Sequence, residues 1–230
     1  MAFLAQDGWH VVSLRAYFEH VLRGTPLPSK PIVLTFDDGH ESQMTAVPVL
    51  HRYHFTATFF LMTVVIGKRH WISAEQVKTL DSLGYTIGAH TYDHANLAKL
   101  PADRVAKQLS GPRKALEDIV GHRIAFFAYP YGAWNASVVD HVNTERFDAA
   151  FQLSDHKMDA TFPLLTLRRQ IVNPFTGISG FRNQVAASLD TTTVLSTTTT
   201  RPPSPIPPST DPSAPSRQTP PVLAPTVASR

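Results

Sequence analysis

Cysteine is absent from all 230 residues. Disulfides and thiolate metal sites are therefore excluded, and any transition metal must be held by histidine and carboxylate. Charge is also sparse: charged residues make up 17% of the chain, the net charge is only +3, and no Lys/Arg block of the kind that tracks phosphates occurs. Nucleic acid is thus not an expected partner. No apolar run approaches the ~18–20 residues needed to cross a bilayer, and the N-terminus lacks a basic region followed by an apolar core. Neither a transmembrane segment nor an export signal is expected in the chain as it stands.

What the chain does have is an uneven distribution of core-forming residues. From Thr191 onward Pro, Ser and Thr dominate and apolar periodicity is lost, so this stretch cannot bury enough surface to offset its ordering entropy. The expectation is one folded domain over residues 1–185 and a disordered Pro/Ser/Thr-rich tail over 186–230, with a wall-spanning stalk as the functional alternative for the tail.

Within the body, strand-like and helix-like stretches alternate. Pro31 to Phe36 is a short apolar run ending at Asp37-Asp38-Gly39, and Glu41 to Tyr53 follows with helical spacing. Ala57 to Met62 repeats the strand signal; Ser73, with Gln76 three residues later, forms a capping box for a helix that stops at Gly84. Tyr85 to Ala89 is a third strand. Pro101 to Ile119 carries a helical stripe that Gly111-Pro112 is expected to interrupt, and Ile124 to Ala128 is a fourth strand. Asn135 to Glu145 reads as a helix, while Asp148 to Phe151 and Leu164 to Leu167 read as strands. This alternation predicts an α/β protein of parallel βα units, either a closed barrel or an open doubly wound sheet. In both, functional sites gather at the carboxyl ends of the strands.

The polar candidates sit at those ends. Asp37 and Asp38 close the first strand; by themselves they are equally well read as a helix cap and loop polarity. His90 and His94 are four residues apart, which lets both imidazoles face one side of a turn or tight loop. An isolated pair would more often be packing or surface histidines. Taken together, however, two His and one Asp make a three-ligand site with open positions. Such a site lets a metal acidify water and polarise a carbonyl, while the second Asp is free to act as base. The ligand set suits zinc, iron, cobalt or nickel.

Thr35-Phe36-Asp37-Asp38-Gly39, His90-Thr91-Tyr92-Asp93-His94 and Tyr129-Pro130-Tyr131-Gly132, in that order, resemble the first three motifs of the NodB-homology polysaccharide deacetylases (carbohydrate esterase family 4). Within that family the stretches FLAQDGWHVVSL, LPSKPIVLTFDDG and FAYPYG are most similar to the poly-β-1,6-N-acetylglucosamine deacetylases of biofilm formation, over about residues 1–185. The resemblance implies a distorted (β/α) barrel of about seven repeats and a metal-dependent hydrolase removing N-acetyl groups from an amino-sugar polymer. It implies Asp37 as general base; Asp38, His90 and His94 as ligands of one divalent metal, zinc first; and the Tyr131 N–H, in the motif around Pro130, as oxyanion donor. Tyr131 and Trp134 would face sugar rings, although strand-end packing is an equal reading for Trp134. An N-acetylglucosamine-containing polysaccharide would be the partner, and an extracellular or cell-surface location is expected.

The sequence also departs from the family pattern. Ala128 stands where many members have an Arg that orients the base, so the base is expected to lack that partner. No late Leu-x-His motif supplies a general acid: Leu167-Arg168-Arg169 occupies a plausible region without histidine, and His156 is a weak substitute. Relatives of this type have a helix and a strand before the equivalent of residue 1, so the chain is expected to be N-terminally incomplete. The same motifs fit an O-acetyl (xylan-type) esterase or an enzyme of small cyclic amides. The departures also fit a catalytically impaired glycan-binding relative.

Overall fold

The computed structural model describes residues 1–153, 157–172 and 174–190. In chain order they form α1 (Ala2–Gln6), β1 (His10–Val11), α2 (Leu14–Arg23), β2 (Pro31–Ile32), β3 (Thr35–Asp38), α3 (Ala46–Arg52), β4 (Thr58–Leu61), α4 (Ala74–Ser82) and β5 (Thr86–Ala89). These are followed by α5 (Ala102–Val120), β6 (Phe126–Ala128), α6 (Ala136–Thr144), β7 (Ala149–Leu153), β8 (Leu167–Arg169) and α7 (Gly177–Asp190). Six strands, β3 to β8, pair in sequence order and all in parallel, and β1 and β2 make a separate parallel pair. Single-direction order, with a helix between most neighbours, is the winding of a distorted (β/α) barrel.

Alternation along the strands divides the interior into two layers. Phe59, Leu61, Ile87, Ala89 and Phe127 face outward into a core shared with Leu50, Val77, Leu80, Leu109 and Val139 of the surrounding helices. Phe60, Phe126, Ala128, Phe151 and Leu167 face the other way, into an inner cluster that Leu14 and Phe18 of α2 cover. Every residue of β4 is buried, as expected of a parallel strand covered on both faces.

Two elements differ from expectation for local reasons. The helix expected from Glu41 begins as a 3₁₀ turn, Glu41–Thr45, and becomes α-helical only at Ala46. Pro48, which has no N–H to donate, then falls in the first α-turn, where none is needed. The strand expected at Leu164 to Leu167 is a 3₁₀ turn opened by Pro163, and β8 starts only at Leu167.

Helix α5 is not interrupted at Pro112 but continues through it. An interior proline costs about 3 kcal/mol. One face of this helix nevertheless buries Val105, Leu109 and Leu116 together with Pro112 itself, and each large apolar side chain contributes about 1.5–3 kcal/mol. Packing therefore outweighs the lost hydrogen bond. At the C-terminal end, α7 continues through Asp190, past the boundary expected at residue 185, and Val185 packs with Phe3, Leu4 and Trp9. The segment from Thr191 lies outside the described residues.

The capping box is present: the Gln76 N–H donates to Ser73 Oγ at 3.1 Å, and the Ser73 N–H donates to Gln76 Oε1 at 2.8 Å. Ser73→Ala should lower unfolding stability by about 1 kcal/mol in urea titration. An unchanged midpoint would mean that α4 is held by its buried face alone.

Candidate metal and catalytic site

Asp37 and Asp38 end β3, His90 follows β5, and Tyr131 follows β6, so the parallel order brings three strand ends to one rim. Asp37 is in register with Phe60 and Asp38 with Leu61. Asp37 therefore projects to the inner side of the sheet. Asp38 is turned aside by a left-handed backbone, φ +77°, a conformation that costs a non-glycine residue roughly 1–2 kcal/mol.

His90 is buried, and its Nδ1 lies 2.7 Å from the carbonyl oxygen of Ala128. A carbonyl only accepts, so Nδ1 carries the proton and Nε2 of the neutral ring is left with a lone pair. That lone pair faces Asp38 Oδ1 at 3.3 Å, and His94 Nε2 lies 3.4 Å from the same oxygen. Asp38 Oδ1 is buried with no well-formed hydrogen bond. One ligand atom from each of the three residues lies within 4.8 Å of the others. Three lone pairs converging without a proton among them need a positive charge, so the donor set fits a divalent cation. The contact with His90 chiefly holds the Asp38 carboxyl below its usual range against the cost of burial. His94 is pushed below the ordinary imidazole value, first by burial and then by the charge of His90, which favours the neutral form a ligand requires.

The loop from His90 to His94 is a tight turn with left-handed Thr91 (φ +68°) and His94 (φ +63°). Buried Thr91 accepts the His94 N–H on Oγ1 at 3.0 Å. The chain reading missed a second support, Gln108 of α5. Its Oε1 accepts the Tyr92 N–H at 2.9 Å, and its Nε2 donates to Asp93 Oδ1 at 2.8 Å. A buried polar residue on the otherwise apolar face of α5 is the only hint that the sequence contains.

Asp37 does not lack a partner. Arg169, at the end of β8, grips it with both arms of the guanidinium, Nη1 to Oδ1 at 2.6 Å and Nη2 to Oδ2 at 2.5 Å. Nη1 also donates to Thr35 Oγ1 at 3.1 Å, and the guanidinium lies over the Phe60 ring. Leu167 faces the inner cluster, so Arg169, two residues on, faces the same way. The expectation of an unpartnered base, drawn from Ala128, is therefore corrected. Ala128 does face the same interior, but the arginine comes from another strand.

Tyr131 is left-handed (φ +60°) and 60% exposed, with its ring 4.5 Å from that of His94. Among the described residues its N–H has no backbone acceptor. Pro130 is buried beneath it, and the next residue must be glycine: a Cβ on Gly132 would lie 2.7 Å from the Leu153 backbone nitrogen. Trp134 turns the other way, donating from Nε1 to Gln152 at 2.8 Å and packing on the outer core. His156 lies outside the described residues.

A parallel βα array with a two-histidine, one-carboxylate cluster and a second, arginine-held carboxylate at its carboxyl rim defines a class of hydrolase scaffold. The chain belongs to the polysaccharide deacetylase family, whose model matches residues 24–150. It is 38% identical over 117 residues to a chitooligosaccharide deacetylase of Azorhizobium caulinodans, covering 49% of this chain and 53% of that one. Among solved structures it is similar to IcaB from Ammonifex degensii, with 26% identity, a TM-score of 0.69, and coverage of 80% of this chain and 84% of that one. It also shares the fold of a Streptococcus pyogenes deacetylase, PplD, solved in complex with acetate, at 19% identity, a TM-score of 0.72, and coverage of 79% and 82%. The chain spans less than two thirds of the length of the curated relatives it matches, and about half for the Azorhizobium protein.

Gln108→Leu should weaken the binding of an added divalent cation about 10- to 100-fold in calorimetric titration while leaving the fold intact by circular dichroism. Unchanged affinity would show that the His90–His94 turn holds itself.

Proposed function

We propose that the chain hydrolyses the acetamide of an N-acetylated amino-sugar polymer, yielding acetate and a free amine. The observation that carries this reading is the Arg169-held Asp37 beside the Asp38–His90–His94 cluster. A divalent metal on those three ligands, zinc first and cobalt, nickel or iron by the same donors, supplies acidified water and a polarised acetamide carbonyl. Asp37 takes the proton of the attacking water. Arg169 keeps that carboxylate aimed, because a bidentate guanidinium fixes its plane and position. The Tyr131 N–H donates to the oxygen that becomes negative in the tetrahedral intermediate, a contact worth about 3 kcal/mol. The proton gained by Asp37 is the one we assign to the departing nitrogen, which balances the step as the C–N bond breaks. The Tyr131 ring is left free to face a sugar, whereas Trp134 serves as scaffold through Gln152.

N-acetylglucosamine, the sugar named for a peptidoglycan deacetylase among the relatives, is the one we favour, in a biofilm or cell-wall polymer at the cell surface. The Arg169 contact answers one of the reasons for reading the chain as an impaired glycan binder, the arginine missing at Ala128. An O-acetyl ester would be attacked by the same groups, and parallel assays on acetylated xylan separate the two.

Purified protein loaded with zinc should release acetate from N-acetylglucosamine oligomers and stop on chelation. No release, while a chitooligosaccharide deacetylase works in parallel, ends the proposal. Asp37→Asn should retain zinc and lose at least about 100-fold in turnover. Arg169→Met should lower kcat by about 10- to 100-fold with zinc affinity nearly unchanged. Equal kcat in the Arg169 variant would show that Asp37 needs no holder.

A further inference from the structure

The far end of the strands carries a second pair of histidines, one that the mechanism does not use. Helix α3 closes with two bonds: the Phe55 N–H donates to the Leu50 carbonyl at 2.9 Å, and the His54 N–H donates to the His51 carbonyl at 3.1 Å. In a closure of this kind the residue after the C-cap takes a left-handed backbone, which glycine adopts most readily. Here that residue is His54, at φ +53°, and its ring lies beside that of His51 with centroids 6.5 Å apart. Leu50 and Phe55 pack on the outer core and anchor the turn.

Both histidines line a cavity of about 250 Å³ together with Phe55, Thr56, Leu83 and Tyr85. Thr56 comes just before β4 and Tyr85 just before β5, so the cavity sits at the amino ends of the strands whose carboxyl ends carry the catalytic rim. The ring nitrogens of this pair are uncommitted. His10, His20 and His141 bond backbone carbonyls, His40 bonds Ser42, and His122 bonds Asp81, while His90 and His94 belong to the catalytic cluster. Among the described residues, neither His51 nor His54 has a side-chain hydrogen bond or ion pair. His70 is also unbonded, but no second imidazole lies in ring contact with it.

No carboxylate lines the cavity. Two imidazoles without an acid disfavour the hard cations, which need oxygen ligands, and suit a borderline transition ion. One ion at about 2.0–2.1 Å from each nitrogen holds two ring centres about 5–6 Å apart. Both side chains are exposed, so a small rotation closes them on it. We propose that His51 and His54 form a second metal site, for one nickel, copper or zinc ion, separate from the Asp38–His90–His94 cluster. Water completes the coordination, and the ion pins the turn between α3 and β4.

The test is equilibrium dialysis of the full, untagged chain against nickel, at concentrations that saturate wild type, with bound metal counted per chain. His54→Gly and His51→Gln should each hold one nickel fewer than wild type. That difference is read whether or not the catalytic cluster takes nickel, so it stands apart from the deacetylase reading. The metal-free His54→Gly protein should also resist urea at least as well as wild type, because glycine relieves the left-handed backbone. The lost ion then cannot be laid to unfolding. A nickel count in either variant equal to that of wild type would overturn the site. So would a metal-free His54→Gly protein less stable than wild type, since His54 would then be kept for its packing.

Discussion

The ion pair between Arg169 and Asp37 joins the two ends of an open sheet. β3 and β8 are its edge strands and share no ladder in the six-stranded order. Arg169 nevertheless reaches from the end of β8 to Asp37 and Thr35 of β3 with three hydrogen bonds. A curled parallel array leaves a seam wherever its edges fail to pair, and here a side chain closes that seam at the carboxyl rim. Arg169 is mostly buried, while Asp37 keeps about a third of its side-chain surface exposed. Solvent screening therefore reduces what the pair adds to stability well below that of a fully buried pair. Its larger consequence is geometric: the closure of the sheet and the aim of the carboxylate are one contact.

The rim depends on a second constraint, the His90 proton committed to the Ala128 carbonyl. It ties the end of β5 to β6 and turns the remaining nitrogen lone pair toward Asp38. Backbone strain is concentrated in the same place. Asp38, Thr91, His94 and Tyr131 all have positive φ, and together they cost several kcal/mol that the packed layers below must offset. The rim is thus held before any ligand arrives, as precise donor placement requires.

The parts of this arrangement visible in the chain were those that depend on local spacing. The capping box at Ser73, the strand runs before Asp37 and His90, and the His-x3-His interval are all encoded within a few residues, and the alternation of elements carries the α/β class. The continuity of α5 was not visible, because Pro112 is a local signal outweighed by a tertiary one, the burial of Val105, Leu109 and Leu116. Gln108 was hidden for a related reason. A single Gln among the apolar positions of a helix does not say which turn it will cap, here one sixteen residues before it.

Arg169 shows how an absence in sequence can mislead. Ala128 signals the loss of a holder for Asp37 only if the holder must come from one motif position. The barrel sets a weaker requirement: a cation at the carboxyl end of some strand, on an inward-facing position. Ala128 and Leu167 both face the inner cluster, and by period two Arg169 does as well, which places its guanidinium over Phe60 and against Asp37. A charged residue two beyond an inward leucine at a strand's carboxyl end was the available signal. In a fold of parallel strands the interior accepts the same chemical group from several strands, so a missing motif residue argues for lost chemistry only after the other inward strand ends have been checked.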